Sequence, residues 1–182
     1  MTARKSILLI FDLDETLIHS RYEQLERKPE IIIDPLNVYL RPHTAELIKA
    51  AAEHFEVAVW SAGSPVYVRT IVDLIFPTGI KPIFAWNRDQ CTQKFEFFPF
   101  QILFLKDLSK TEEYGYDLAH TLIIEDDPVK IRMYSDNAII VGQYYGEKED
   151  DELLHLSKFV TTLAKSNDVR SEIKDCWRPS RK

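Results

Sequence analysis

The stretch that most constrains this chain is residues 6–20, SILLIFDLDETLIHS. Residues 7–11 are an unbroken apolar run with a β-branched start. A run that short and that apolar suits a strand buried on both faces, as at the centre of a parallel sheet. It ends abruptly in two carboxylates, Asp12 and Asp14. In an open α/β sheet, ligands bind in the crevice beyond the carboxyl ends of the strands, so the pattern delivers two acids to that crevice. On chemistry alone, Asp12 is suited to attack phosphorus and form an acyl-phosphate, and Asp14 to handle the proton of the leaving oxygen. The plainer alternative is an acidic turn in which Asp14 caps the next element of the chain. The catalytic reading requires cations from elsewhere in the chain, because both reactants are negative.

Size and charge narrow the field. The 182 residues suit one domain, with 45% hydrophobic and 29% charged residues, ordinary for a globular protein. A core of about residues 6–165 and a polar tail of about 166–182 are expected. The formal net charge is −6 and no basic block stands out, which argues against a sequence-independent grip on nucleic acid. Arg178, Arg181 and Lys182 read as a solvated end. The two cysteines, Cys91 and Cys176, form no C-x-x-C, so neither a zinc site nor a disulfide framework is indicated. No signal peptide or membrane span is apparent, and the expected compartment is intracellular: cytoplasmic, or nuclear in a eukaryote.

Along the chain, residues 21–30 are polar and read as a flap, followed by two short β-like runs at 31–33 and 38–40 that would form a hairpin. A helix is expected over 43–54, a buried strand over 56–60, and a second helix from Pro65, capped by Ser64, to about Phe76. Residues 81–86 suggest a third strand. Residues 87–105 lack helical period, and the aromatic FEFFPFQILF reads as a small β excursion, either substrate surface or core. Buried strands follow at 121–124 and 138–141, then an amphipathic helix over 150–163. Strands alternating with helices imply an α/β parallel sheet with helices on both faces.

Chemically telling residues collect at strand ends: Asp12 and Asp14, then Ser61, then Glu125, Asp126 and Asp127, with Lys106 between the last two groups. Clustered carboxylates need a hard cation, and oxygen ligands without nearby His or Cys point to Mg²⁺. Mg²⁺ with Lys106 would neutralise a phosphate group, and Ser61 with backbone N–H groups would hold its oxygens.

The ordered set DLDETLIH, LRPH, VWSAGSPVYV, RDQC, LKDLSK and LIIEDDP resembles the haloacid dehalogenase-like phosphatases, specifically the small C-terminal-domain phosphatase (NLI-interacting-factor-like) branch, over residues 7–163. The resemblance implies a Rossmann-like parallel sheet flanked by helices, with a small β flap or insert and no large cap domain. It implies an Mg²⁺-dependent phosphomonoesterase working through an aspartyl-phosphate, with a phosphorylated protein or peptide as substrate. By position, Asp12 matches the nucleophile and Asp14 the general acid/base. Asp12, the Asp14 carbonyl and Asp126 match the metal ligands, with Glu125 and Asp127 behind them. Ser61, Ala62 and Lys106 match phosphate-holding positions, and Arg88 and Tyr22 substrate-side positions. This chain departs from the pattern in three places. Glu125 replaces the usual Asp, the segment 20–42 is short where the branch builds a pocket for a substrate proline, and the segment after Cys91 is longer and more aromatic. A small-molecule phosphatase on the same scaffold and a non-catalytic phosphopeptide-binding module are the rival readings. With no room for a lid, the expected preference is for phosphopeptides over small phosphate esters.

Overall fold

Four residues without exposed surface, Leu8–Phe11, form the middle strand of the molecule. The computed structural model describes residues 6–172 with Lys174, Trp177 and Arg178; Cys176, Arg181, Lys182 and the first five residues lie outside the described residues. In chain order the strands are β1 (Leu8–Phe11), β2 (Ile18–Arg21), β3 (Ile31–Ile33), β4 (Leu36–Leu40), β5 (Glu56–Trp60), β6 (Ala85–Trp86), β7 (Thr92–Phe97), β8 (Phe100–Leu105), β9 (Thr121–Glu125) and β10 (Ala138–Ile140). The helices are α1 (Thr44–Ala52), α2 (Pro65–Ile75) and α3 (Glu152–Val160), joined by short 3₁₀ segments.

The main sheet has five parallel strands in the order β10-β9-β1-β5-β6. Side chains alternate across it. Leu9, Phe11, Val57, Val59, Leu122 and Ile124 face a core that contains the apolar sides of all three α-helices. Leu8, Ile10, Ala58, Trp60 and Ile123 face a second, smaller core closed by Phe84, Trp86, Leu108 and Ile131. The sheet is therefore flanked on both sides, by α-helices on one and by 3₁₀ turns and loops on the other. Each β1 side chain is fully buried, and burying one of that size is worth roughly 1.5–3 kcal/mol.

Local sequence explains the helices. α2 begins at Pro65, whose missing N–H is harmless at a first helical position, and Ser64 caps it by accepting from the Tyr67 N–H. α1 buries Thr44, Leu47, Ile48 and Ala51, at helical spacing. α3 ends at Val160 and continues as a 3₁₀ turn over Thr161–Lys165, shorter than the apolar spacing predicts.

Other expectations are corrected. The strand expected over 81–86 pairs only at Ala85–Trp86. The flap is a three-stranded antiparallel sheet, β2-β4-β3, rather than a hairpin. Its extra strand, Ile18–Arg21, follows the Asp-x-Asp turn and includes Arg21, which reads as part of the polar flap. The tail is not wholly solvated: Val169 and Trp177 join the main core, and Arg178 bonds Glu152 and the Ile140 carbonyl. Buried Arg41 ties these parts together. It makes a two-point ion pair with Asp150 at 2.8 and 3.0 Å and donates to the carbonyls of Thr16 and Gly142 at 3.0 and 2.9 Å.

Candidate active site

Sheet register sets the site. Phe11 pairs with Val59 on one side and Ile124 on the other. The residues just beyond, Asp12, Trp60–Ser61 and Glu125–Asp126, therefore leave the sheet at one level. The Asp12 N–H still bonds the Ile124 carbonyl at 3.0 Å, so the carboxylate is held by the strand rather than by a loop.

Lys106, at the end of β8, is almost fully buried. Its ammonium lies 2.6 Å from both Asp12 Oδ1 and Glu125 Oε2. Burial pulls the Lys106 pKa down, but the two carboxylates outweigh it and leave it raised. Burial likewise opposes ionisation of Asp12, yet Lys106 and Lys130 together lower it to about 2. Glu125 is pushed up by burial and by the charge of Asp12.

Asp14 lies in a different environment. Its carboxylate accepts from Ser61 Oγ at 3.0 Å and from the Tyr67 hydroxyl at 2.5 Å. Tyr67 also contacts Ser20 Oγ at 2.9 Å. Burial and then the negative charge of Asp12 raise the Asp14 pKa, against the two hydrogen bonds that lower it. The two acids two residues apart are thus driven in opposite directions, the usual arrangement when one is to stay ionised and the other is to carry a proton.

Gly63 makes this cluster possible. Its N–H donates to Ser61 Oγ at 2.9 Å. A Cβ there would lie 2.6 Å from the Tyr67 ring. Only glycine lets the turn after β5 pass between the serine and the tyrosine.

One oxygen each of Asp12, Glu125 and Asp126 lies within 4.8 Å of the others. Asp126 is further held by Thr16 Oγ1 at 3.3 Å and Gln143 Nε2 at 3.0 Å. An all-oxygen, carboxylate donor set fits a hard divalent cation. The three carboxylates of this set share two ammonium groups, Lys106 and Lys130. Asp127 lies apart: it caps the following turn through the Val129 N–H at 2.9 Å.

Sequence reasoning missed Lys130. Its ammonium is 3.4, 3.1 and 3.5 Å from Asp12, Glu125 and Asp126. The available signal was its spacing, four residues beyond Asp126 in the turn after Pro128. Tyr67 and Gln143 were also missed; they approach the site only through α2 and the loop after β10.

The cleft above these groups is open and has a volume of about 500 Å³. Asp14, Arg88 and Lys130 line it beside the turn Ala62–Gly63–Ser64. Ile33 and Leu36 of the flap and Val66 of α2 form an apolar wall. Tyr22 is mostly exposed, and its carbonyl accepts from Asn37; it is not among the residues lining the cleft. The apolar wall comes from the flap strand the sequence placed only as β-like, not from Tyr22.

Comparison with known proteins identifies the family and the fold. Residues 7–170 match the NLI interacting factor-like phosphatase family. A probable C-terminal domain small phosphatase of Dictyostelium discoideum is 30% identical over 89% of this chain and 52% of its own length. The human carboxy-terminal domain RNA polymerase II polypeptide A small phosphatase 1 is 28% identical over 92% of this chain and 63% of its own. This chain thus spans about half to two thirds of those relatives. The solved structure of Fcp1, an RNA polymerase II CTD phosphatase, shares the fold with a TM-score of 0.55 at 18% identity, covering 88% of this chain and 51% of that one.

Proposed function

Because the chain belongs to the NLI interacting factor-like phosphatase family, we propose that it is an Mg²⁺-dependent phosphomonoesterase that removes phosphate from serine or threonine of a protein through an aspartyl-phosphate on Asp12. The observation that carries this reading is the different setting of the two acids at the end of β1: Asp12 lies 2.6 Å from the buried Lys106 ammonium and 3.4 Å from Lys130, while Asp14 faces the open cleft and accepts from the Ser61 and Tyr67 hydroxyls.

In the first half-reaction an Asp12 oxygen forms a bond to phosphorus as the bond to the leaving oxygen breaks, and Asp14 gives that oxygen its proton. In the second, Asp14 takes a proton from water, the water oxygen bonds to phosphorus, and the Asp12–phosphorus bond breaks to release inorganic phosphate. Lys106 stabilises charge on the transferring group, and Ser61 with the Ala62 and Gly63 turn orients its oxygens. Mg²⁺, held by Asp12 and Asp126 with the Asp14 carbonyl and with Glu125 behind, would screen the repulsion between carboxylate and phosphate. Arg88 faces the substrate at the rim.

The open cleft favours a protein substrate over a metabolite. Without a lid, binding energy must come from surface beside the phosphate, which a polypeptide reaches and a sugar phosphate does not. Among the described residues no helix is long and apolar enough to cross a membrane. Phosphate release from phenyl phosphate tests the chemistry: it should require Mg²⁺, stop in excess EDTA, and fall by several orders of magnitude in Asp12→Asn. Full activity in EDTA, or more than a few per cent of turnover in the variant, would overturn the assignment. A metabolite hydrolysed far better than any phosphopeptide would transfer the reading to the small-molecule phosphatase.

A further inference from the structure

The β7–β8 hairpin carries the most conspicuous surface outside the catalytic cluster. Its register pairs Phe95 with Ile102, Phe97 with Phe100 and Gln93 with Phe104. In an antiparallel pair, opposite residues share a face, so Phe95, Phe97, Phe100, Ile102 and Phe104 form one apolar side. The other side carries Lys94, Glu96 and Gln101 toward the tip, where Glu96 pairs with Arg132 at 3.3 Å, with Leu103 and the buried Leu105 toward the base.

Beyond Phe104, which packs against the smaller core, the apolar side is left largely exposed by the described residues. Phe97 and Phe100 are 74% and 79% exposed, and Phe98 at the turn is 96% exposed. The rings of Phe95, Phe97 and Phe100 mainly meet one another, with centroids 4.9–6.4 Å apart. With about 200 Å² per ring, the patch reaches several hundred Å², the size that marks an interaction surface.

Its position points to the occupant. Phe104, half-buried, extends the apolar side to the hairpin base. The Arg88 guanidinium lies 5.9 Å above the Phe104 ring and also lines the catalytic cleft. The other strand end runs directly into Lys106, paired with Asp12. The apolar side therefore begins at the cleft and leads away from it. We infer that it binds an extended apolar segment of the substrate protein itself, next to the phosphorylated residue. This rests on the phosphoprotein reading above. Six residues of strand span about 20 Å, which places the apolar substrate positions roughly three to eight residues from the phosphoresidue. A lipid surface fits less well: the Glu96–Arg132 pair sits one residue from the most exposed rings, and a net charge of −6 is repelled by anionic membranes.

The test uses synthetic phosphoserine peptides in a Gly/Ser background, with and without a Leu-Phe-Leu segment about five residues to either side, against the double variant Phe97→Ser, Phe100→Ser. The variant should lose about tenfold or more in kcat/KM on the flanked peptide, through KM. It should match the wild type on the unflanked peptide and on phenyl phosphate, which also shows that it is folded. Fluorescence anisotropy with Asp12→Asn as the host for the same pair of changes should reproduce the difference in peptide binding without turnover. Equal wild-type affinity for flanked and unflanked peptides overturns the inference. So does Phe-dependent cosedimentation with phosphatidylserine vesicles when peptide binding is unaffected. If phenyl phosphate is not hydrolysed by the wild type but Phe-dependent peptide binding persists, the phosphatase reading falls and the docking surface stands.

Discussion

Replacing Tyr67 by Phe removes one hydroxyl from α2 and leaves the ring in place. That hydroxyl lies 2.5 Å from Asp14 Oδ1 and is one of two hydrogen bonds that favour the ionised carboxylate. Burial and then the Asp14 charge push the Tyr67 pKa above its ordinary value, so it stays a donor throughout an assay range. A hydrogen bond to a charged group is worth about 1.5–3 kcal/mol, and one pKa unit corresponds to about 1.4 kcal/mol. With water replacing part of the lost contact, the Asp14 pKa should rise by about one unit. Asp14 must be protonated to give its proton to the leaving oxygen, so a higher pKa extends activity to higher pH. The measurement is the pH profile of kcat/KM, which covers the steps through phosphoenzyme formation. Phenyl phosphate is the substrate, because its poor leaving group needs the proton. The basic limb should move up by about one unit. A limb that stays in place or moves down would refute Asp14 as the proton donor or Tyr67 as its partner.

Gly63→Ala drives a Cβ to 2.6 Å from the Tyr67 ring and 3.2 Å from Ser61 Oγ. It should shift the basic limb in the same direction as Tyr67→Phe, with a larger drop in kcat/KM because both Asp14 contacts are disturbed. Lys106→Ala should reduce kcat/KM more than Ser61→Ala, since a lost full charge outweighs one lost neutral hydrogen bond; the reverse order on one substrate counts against both roles. Lys106→Ala also leaves buried Asp12 and Glu125 with only the more distant Lys130 ammonium between them, a loss of about 3 kcal/mol by denaturant unfolding, and adding Glu125→Gln should restore part of it. Arg41→Met breaks the buried pair with Asp150 and two carbonyl contacts, and should cost about 3–5 kcal/mol; a loss under about 1 kcal/mol would show that other contacts hold the loop.

What the chain determined locally was the framework. Short apolar runs ending in chemistry-bearing residues marked β1, β5 and β9, because a strand buried on both faces tolerates no polar interruption. The parallel topology then brings Asp12, Ser61, Glu125 and Asp126 to one edge, and Lys106 reaches it from the base of the antiparallel β7–β8 hairpin. Helix α2 was legible from Ser64 and Pro65, whose effects are confined to one turn. Only the tertiary structure decided which neighbours each charge acquires. Tyr67 and Gln143 belong to segments whose local pattern carries no sign of the site, and Lys130 offers only its spacing from Asp126; they reach it because loops and helices pack over the sheet ends. The same holds for the aromatic hairpin. Alternating phenylalanines are equally compatible with core and surface, since period alone places side chains on a face and does not say what covers it. Here Leu105 at the hairpin base is covered by the protein, and the face running outward from Phe104 is not.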